Sequence, residues 1–275
     1  MGGLQLPKTL IQPDPLNPRG FWESEVFLKL HRRILAACRS DLTDVLPLPD
    51  GWLASAPVQQ LEVDLERALA SEFGDASRCL IKDPRICRLF PIWQRILDRL
   101  GWEYRVIIPA RHPAEVVGSM KHQGKAAGLR GQLAWLQGFL AAEYSSRGVR
   151  RSFITFDQLL EDPVRHATRL SDELSLKLEF GEAVRSQIRD FLSHRPRNRV
   201  NELVRDRQIL PMCRAAFNWA QAQAGGASNS VRIERVQMRY RMAMTVFGPV
   251  LRAKRRVREV GTGRKRARRK NDSRI

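Results

Sequence analysis

The 275-residue chain has little cysteine, few acidic side chains and no long apolar run. Without about 18 uninterrupted apolar residues, no transmembrane helix is expected. The opening MGGLQLPKTLIQPDPLNPRG lacks the basic-then-apolar order of an export signal, so a cytoplasmic location is the expectation. Cys38, Cys79, Cys87 and Cys213 are scattered with no C-x-x-C spacing, which argues against a zinc site. They read as small buried hydrophobes, and no metal is expected. No G-x-x-x-x-G-K-[ST] loop occurs, and the GTGRK at 261–265 has no strand before it.

Acid is scarce relative to base: 29 Asp and Glu against 48 Lys and Arg give a formal charge of +19. That balance invites a nucleic-acid reading, but the excess is unevenly placed. Residues 251–275 hold twelve Lys or Arg against Glu259 and Asp272, which is +10 of the +19. The RKRARRK run at 264–270 reads as a polybasic, disordered arm. The preceding part is only moderately basic, and 43% hydrophobic residues suffice for a sizeable core.

Apolar spacing predicts a helix over 24–38 and another over 58–73, closed by Gly74, with 52–57 as loop. RCLIKD (78–83) reads as a short strand before a turn at Pro84-Arg85. A helix follows over 89–100, and Gly101 ends it. YRVIIPAR (104–111) is the strongest strand signal, and Pro113 opens the helix after it. A long helix is predicted near 129–145, and RRSFITF (150–156) is a third strand with Asp157 as N-cap of the next helix. Strands alternating with helices predict an α/β fold, a parallel sheet flanked by helices. Gly225-Gly226 marks a boundary between a domain over 1–225 and a basic helical tail over 226–275. In the tail, 231–257 reads as one helix interrupted at Gly248-Pro249.

Ligands of such sheets sit at the carboxyl ends of the strands, where Lys82, Asp83, Arg111 and Asp157 fall. Arg111 ends a strand and Ser119 lies two turns along the following helix. An arginine fork and a hydroxyl so spaced can hold one phosphate; equally, the arginine can satisfy the helix or a nearby carboxylate. Lys82 and Asp83 can pair with each other at a turn, or Lys82 can steady developing charge. Glu23, ahead of a helix, can accept a proton or merely complement the helix dipole. His31, two turns in, reads as a partly exposed helix residue. Trp22, Trp52, Trp93 and Trp135 are either core or the lining of an acceptor pocket. His194, Arg195, Arg197 and Arg199 form a basic loop, either solvated or able to close over a phosphate.

The strand-Arg-x-Pro segment RHPAEVVGSM (111–120), together with NPRGFWES (17–24), LIKDPRICRLFPIW (80–93) and SFITFDQLLEDP (152–163), resembles the bacterial branch of the sulfotransferases. The resemblance spans about 13–178. It implies a P-loop NTPase-like fold and 3′-phosphoadenosine 5′-phosphosulfate as sulfonate donor. It implies Arg111 and Ser119 on the donor's 3′-phosphate, and Arg197 in a basic segment over the adenosine phosphates. The acceptor would be a hydroxyl or amine, expected on a carbohydrate, with Glu23 or Asp83 as base and Lys82 on the transferred sulfonate. Pro84 stands where many members have a histidine base. The family's first strand and Ser-Gly-Thr loop for the 5′-phosphosulfate are missing from the sequence. Met1 falls where the helix after that loop would be, as a late start or a truncated gene would leave it. Two rival readings stand beside the enzyme: a remnant serving as a binding or structural protein, and a polybasic-tail binder of nucleic acid or anionic membrane.

Overall fold

Val106–Ala110 (β1) and Arg151–Thr155 (β2) form a parallel pair, with Val106 opposite Arg151 and Ala110 opposite Thr155. The computed structural model describes residues 3–15, 17–193, 209–226 and 233–251. Parallel strands cannot be joined by a tight turn. Here the crossover is supplied by Pro113–His122 (α4) and Gly128–Ser145 (α5). β1 alternates as a half-covered strand should: Ile108 and Ala110 are buried while Ile107 faces out. Pro109 cannot donate to a ladder, and β1 tolerates it because, among the described residues, only β2 flanks it in this sheet. β2 is buried from Ser152 through Thr155. Pro211–Ala224 (α9) packs on it, with Trp219 edge-on to Phe153 at 5.2 Å.

RCLIKD was expected to be a third strand; it is extended chain with a single parallel bridge, Gln5 to Cys79. Gln5 donates to the Arg78 carbonyl at 2.9 Å, and Leu80 donates back to Gln5 at 2.9 Å. The next rung of a parallel ladder would need the N–H of residue 7, which is a proline. The ladder therefore stops after one bridge. The fold is accordingly α/β and helix-rich, with a two-stranded parallel sheet flanked by helices.

Before the sheet, Glu25–Ala37 (α1), Ala56–Phe73 (α2) and Ile86–Arg99 (α3) pack around Phe27, Ile34, Leu65, Leu69, Ile92 and Trp93. α1 starts where it does because the Ser24 hydroxyl accepts the Phe27 N–H at 3.1 Å. α2 begins at Ala56, so the expected loop over 52–57 shrinks to a short 3-10 turn at Trp52–Ala54. The N-terminal segment is anchored by a buried carboxylate. Glu72 takes the Thr9 N–H at 3.0 Å and its hydroxyl at 2.6 Å.

After β2 come Phe156–Glu161 (α6), Pro163–Glu173 (α7) and Glu182–Ser193 (α8). Asp157 does not cap α6. Thr155 does, through a capping box with Gln158 that satisfies both backbone N–H groups, and Asp157 falls inside the first turn. The capping box wins because Thr155 already has the extended backbone of an N-cap.

The chain divides into two compact units, residues 1–230 and 231–275. In the second, residues 233–251 form one helix, α10. The expected break at Gly248-Pro249 does not occur, and the helix runs through both to 251. A proline costs a helix one backbone hydrogen bond and crowds the preceding turn. So near the described end of α10 that loss does not break the helix. Two of the four cysteines, Cys38 and Cys213, are buried, and burial pushes the Cys213 thiol up to about 12. Among the described residues no helix is long and apolar enough to cross a membrane.

Candidate functional site

The site grows from two kinks in the segment NPRGFWES. Asn17 closes a turn by donating its side-chain amide to the Gly20 carbonyl at 2.6 Å, and Gly20 adopts a φ of +80°. Trp22 then takes a φ of +58°, the left-handed region that a bulky residue rarely occupies. The second kink turns two oxygens toward one cation. The Lys82 ammonium donates to the Phe21 carbonyl at 2.9 Å and to Glu23 Oε1 at 2.7 Å. Glu23 Oε2 faces Arg85 Nη1 at 3.4 Å, and Ile11 pins the Glu23 carbonyl at 2.9 Å. Glu23 is buried, whereas half of the Lys82 side chain is exposed. Strain held at such a position marks a place the surrounding structure over-determines.

Glu23 is therefore not the carboxylate that complements the α1 dipole. It precedes the N-cap Ser24, and Glu25 in the first turn takes that role.

Asp83 does not pair with Lys82. Its Oδ1 accepts the Arg85 backbone N–H at 2.7 Å and Arg85 Nη1 at 2.8 Å. Its Oδ2 lies 2.9 Å from His31 Nδ1. His31 is not a partly exposed residue; its side chain is fully buried. The indole N–H of Trp93, a donor only, reaches His31 Nε2 at 3.0 Å. Nε2 must then accept, so His31 is neutral, carries its proton on Nδ1 and donates it to Asp83. Burial alone would raise the Asp83 carboxyl, but the hydrogen bond from His31 and the Arg85 guanidinium outweigh it and hold it below the ordinary range. Asp83, with both oxygens occupied and no access to solvent, is a positioning residue. Trp93 is core; Trp22, more than a third exposed, is the tryptophan at the site's edge.

Two cations here were not singled out from the sequence. Arg85, in the turn after Pro84, joins Asp83 to Glu23. Lys125 sits in the loop between α4 and α5, bracketed by Gly124 and Gly128, both at positive φ. Partial burial and the charges of Arg85 and Arg32 push its ammonium below the usual lysine range, against the pull of Glu23 and Asp14. The glycine-bracketed lysine after an Arg-x-Pro helix was the available signal; its approach to residues 23 and 85 is tertiary. Lys82 and Arg85 thus meet at one buried glutamate, with Lys125 within electrostatic reach of Glu23 and Arg85, an arrangement suited to an anion.

The second half of the expected site is built differently. Arg111 follows β1 directly; its Nε donates to Glu115 Oε2 at 2.8 Å, and its guanidinium lies 4.5 Å over the Phe156 ring. The Ser119 hydroxyl accepts from Gln123 Nε2 at 3.1 Å. No hydrogen bond joins Arg111 to Ser119. Arg197, with His194, Arg195 and Arg199, lies outside the described residues. Arg19 donates to the Phe191 carbonyl of α8, with its guanidinium 5.2 Å from the ring.

A cavity of about 610 Å³ lies away from these residues, lined by Glu62, Glu66, Arg95, Arg99, Leu100 and Trp102 of α2, α3 and the chain just beyond. It brings together none of the candidate residues. Among the described residues no group of three His, Cys, Asp or Glu is placed to hold a metal ion. In comparisons with known proteins, no family model, no curated protein and no solved structure matches the chain.

Proposed function

We propose that the chain is sulfotransferase-like, moving a sulfonate from 3′-phosphoadenosine 5′-phosphosulfate to a hydroxyl or amine of an acceptor of carbohydrate class, in an arrangement whose 5′-phosphosulfate loop this sequence does not contain. The observation that carries this reading is the junction at Glu23, a buried carboxylate at a strained kink, ringed by Lys82 and Arg85 and opening to solvent through Lys82. In transfer to a hydroxyl, the acceptor oxygen attacks sulfur in line with the departing 5′-phosphate oxygen. The new O–S bond forms as the old S–O bond breaks. The acceptor proton goes to Glu23, and adenosine 3′,5′-bisphosphate leaves.

Lys82 links binding to this chemistry. It now occupies Glu23 Oε1. A sulfonate carries the charge to draw the half-exposed ammonium toward itself, which bares Oε1 for the acceptor proton and puts the cation where charge develops. Arg111 still has its terminal guanidinium nitrogens for the 3′-phosphate, since its contact to Glu115 is made through Nε. Ser119 and Arg197 complete that arm in this reading. No metal takes part in it.

One observation favours a second reading, a binding protein without turnover. Both oxygens of Glu23 are engaged by cations, which suits a site that holds an anion and transfers nothing. Labelled-sulfonate transfer to a panel of oligosaccharides, run beside calorimetry with the bisphosphate, separates the two. Transfer supports the enzyme; binding without transfer supports the second reading; neither binding nor transfer removes both.

A further inference from the structure

α10 carries two apolar stripes. One, formed by Ile233, Val236, Tyr240 and Met244, is buried. The other, Met238, Met242, Val246 and Val250, recurs every four residues and so winds slowly along the opposite side. These four residues are each 54–68% exposed. One exposed apolar side chain is ordinary, but four along one side of a 19-residue helix form a patch that calls for a partner. Arg235 and Arg239, also exposed, share that side toward the start of the helix. Immediately after it, residues 251–275 carry twelve basic and two acidic side chains.

We propose that the outer face of α10 docks in the plane of an anionic membrane surface. The order along the chain is basic, apolar, basic, which is the pattern of an interfacial helix. Met238, Met242, Val246 and Val250 enter the boundary between headgroups and acyl chains. Arg235 and Arg239 extend their aliphatic stems over it and keep their charges among the headgroups. The following basic residues add attraction to acidic lipid within a Debye length of the surface.

Charge complementarity selects this occupant over the others. A nucleic acid would satisfy the arginines and leave the apolar stripe in water. A second copy of the chain would cover the stripe but would set arginine against arginine and bring two +10 segments together. A bilayer of acidic lipid satisfies both features at once. The surface belongs to the second unit and stands whatever the site around Glu23 does.

The test is sedimentation of the full chain with lipid vesicles at about 0.1 M salt. Vesicles containing about 30% phosphatidylserine should bind it, and pure phosphatidylcholine vesicles should bind at least tenfold more weakly. The double variant Met242→Asp/Val246→Asp should lose tenfold or more of the binding to acidic vesicles at an unchanged melting temperature. Met242→Gln/Val250→Thr, a milder pair, should lose a few-fold and remains informative if the first pair disturbs folding. Undiminished vesicle binding in both variants overturns the proposal, because the basic residues alone would then account for it. Duplex DNA binding without vesicle binding overturns it in favour of a polyanion partner. A concentration-dependent dimer by light scattering, abolished by the variants in a chain that ignores vesicles, overturns it in favour of self-association.

Discussion

Residues 80–86, LIKDPRI, and residues 107–113, IIPARHP, run alike from an apolar stretch through charged residues into a proline and a helix. Their surroundings make them different. In the first, Asp83 and Arg85 are buried and bonded to each other, and each is also held by a residue far away in sequence: Asp83 by His31 and, through it, Trp93, and Arg85 by Glu23. In the second, Arg111 is a third exposed and is held within its own turn by Glu115. A charge satisfied from a distance organises tertiary structure; one satisfied locally remains available. The first turn should therefore govern stability and the chemistry at Glu23, and the second should affect ligand affinity with little effect on folding.

The largest effect is expected at the junction itself. Glu23→Gln keeps the shape and hydrogen bonding of the side chain but cannot take a proton. Turnover should fall about 10²–10⁴-fold, the usual range for a general base, with donor affinity little changed. Lys82→Met should lower both. A Glu23→Gln protein with full turnover would remove Glu23 from the chemistry, and steady-state kinetics decide it.

Next is His31→Ala. It strips a buried partner from Asp83 and leaves the Trp93 N–H with nothing to donate to. Each buried polar group left without its partner costs about 1–3 kcal/mol. Urea titration should show that loss, against less than about 1 kcal/mol for Arg111→Ala, whose pair is partly exposed. Equal losses would erase the distinction between the two turns.

Asp83→Asn should cost about 1.5–3 kcal/mol at neutral pH, the worth of a hydrogen bond to a charged group. The carboxyl is held below its ordinary value of 3.8 in the folded protein, so its contribution is fully present above that value. It is lost as the pH falls through the lower folded value. The stability gap between the native chain and Asp83→Asn should accordingly close below about pH 4. A gap that stays constant on acidification would mean the carboxylate is not what holds the turn.

Much of the local structure was legible in the sequence. Helix spacing, the Ser24 start, the β1 run and the Pro113 entry depend on residues within a few positions of one another, and apolar periodicity reports them. The failures share a cause. The 78–83 segment has the composition of a strand, but pairing is a property of two segments, and Pro7 in the other one stops the ladder. His31 looked like a surface histidine because nothing near it in sequence declares Asp83 or Trp93 as its partners, 52 and 62 residues away. Lys125 was unremarkable for the same reason. Glu23 and Lys82 were visible as charged residues beside prolines and helix starts; their 2.7 Å contact was not. Asp157 was displaced as a cap by its neighbour Thr155, a choice between adjacent candidates that backbone conformation decides.

The smallest effects belong to the second turn and concern the donor. Arg111→Ala removes a formal charge, and a charged hydrogen bond is worth about 1.5–3 kcal/mol, so bisphosphate affinity should fall at least about tenfold. Ser119→Ala removes a neutral hydroxyl worth about 0.5–1.5 kcal/mol, so the loss should be only a few-fold. That hydroxyl now accepts from Gln123 one turn along α4, and the amide can turn to water when it is gone. Stability should therefore hold within about 0.5 kcal/mol, as for an ordinary surface substitution. Calorimetry on both variants, with melting curves alongside, gives the ratio that matters. If Ser119→Ala weakens binding as much as Arg111→Ala, the hydroxyl is the principal contact and Arg111 serves Glu115 alone. If neither changes affinity, the bisphosphate does not use this turn. The anion site then consists of Lys82, Arg85 and Lys125 around Glu23.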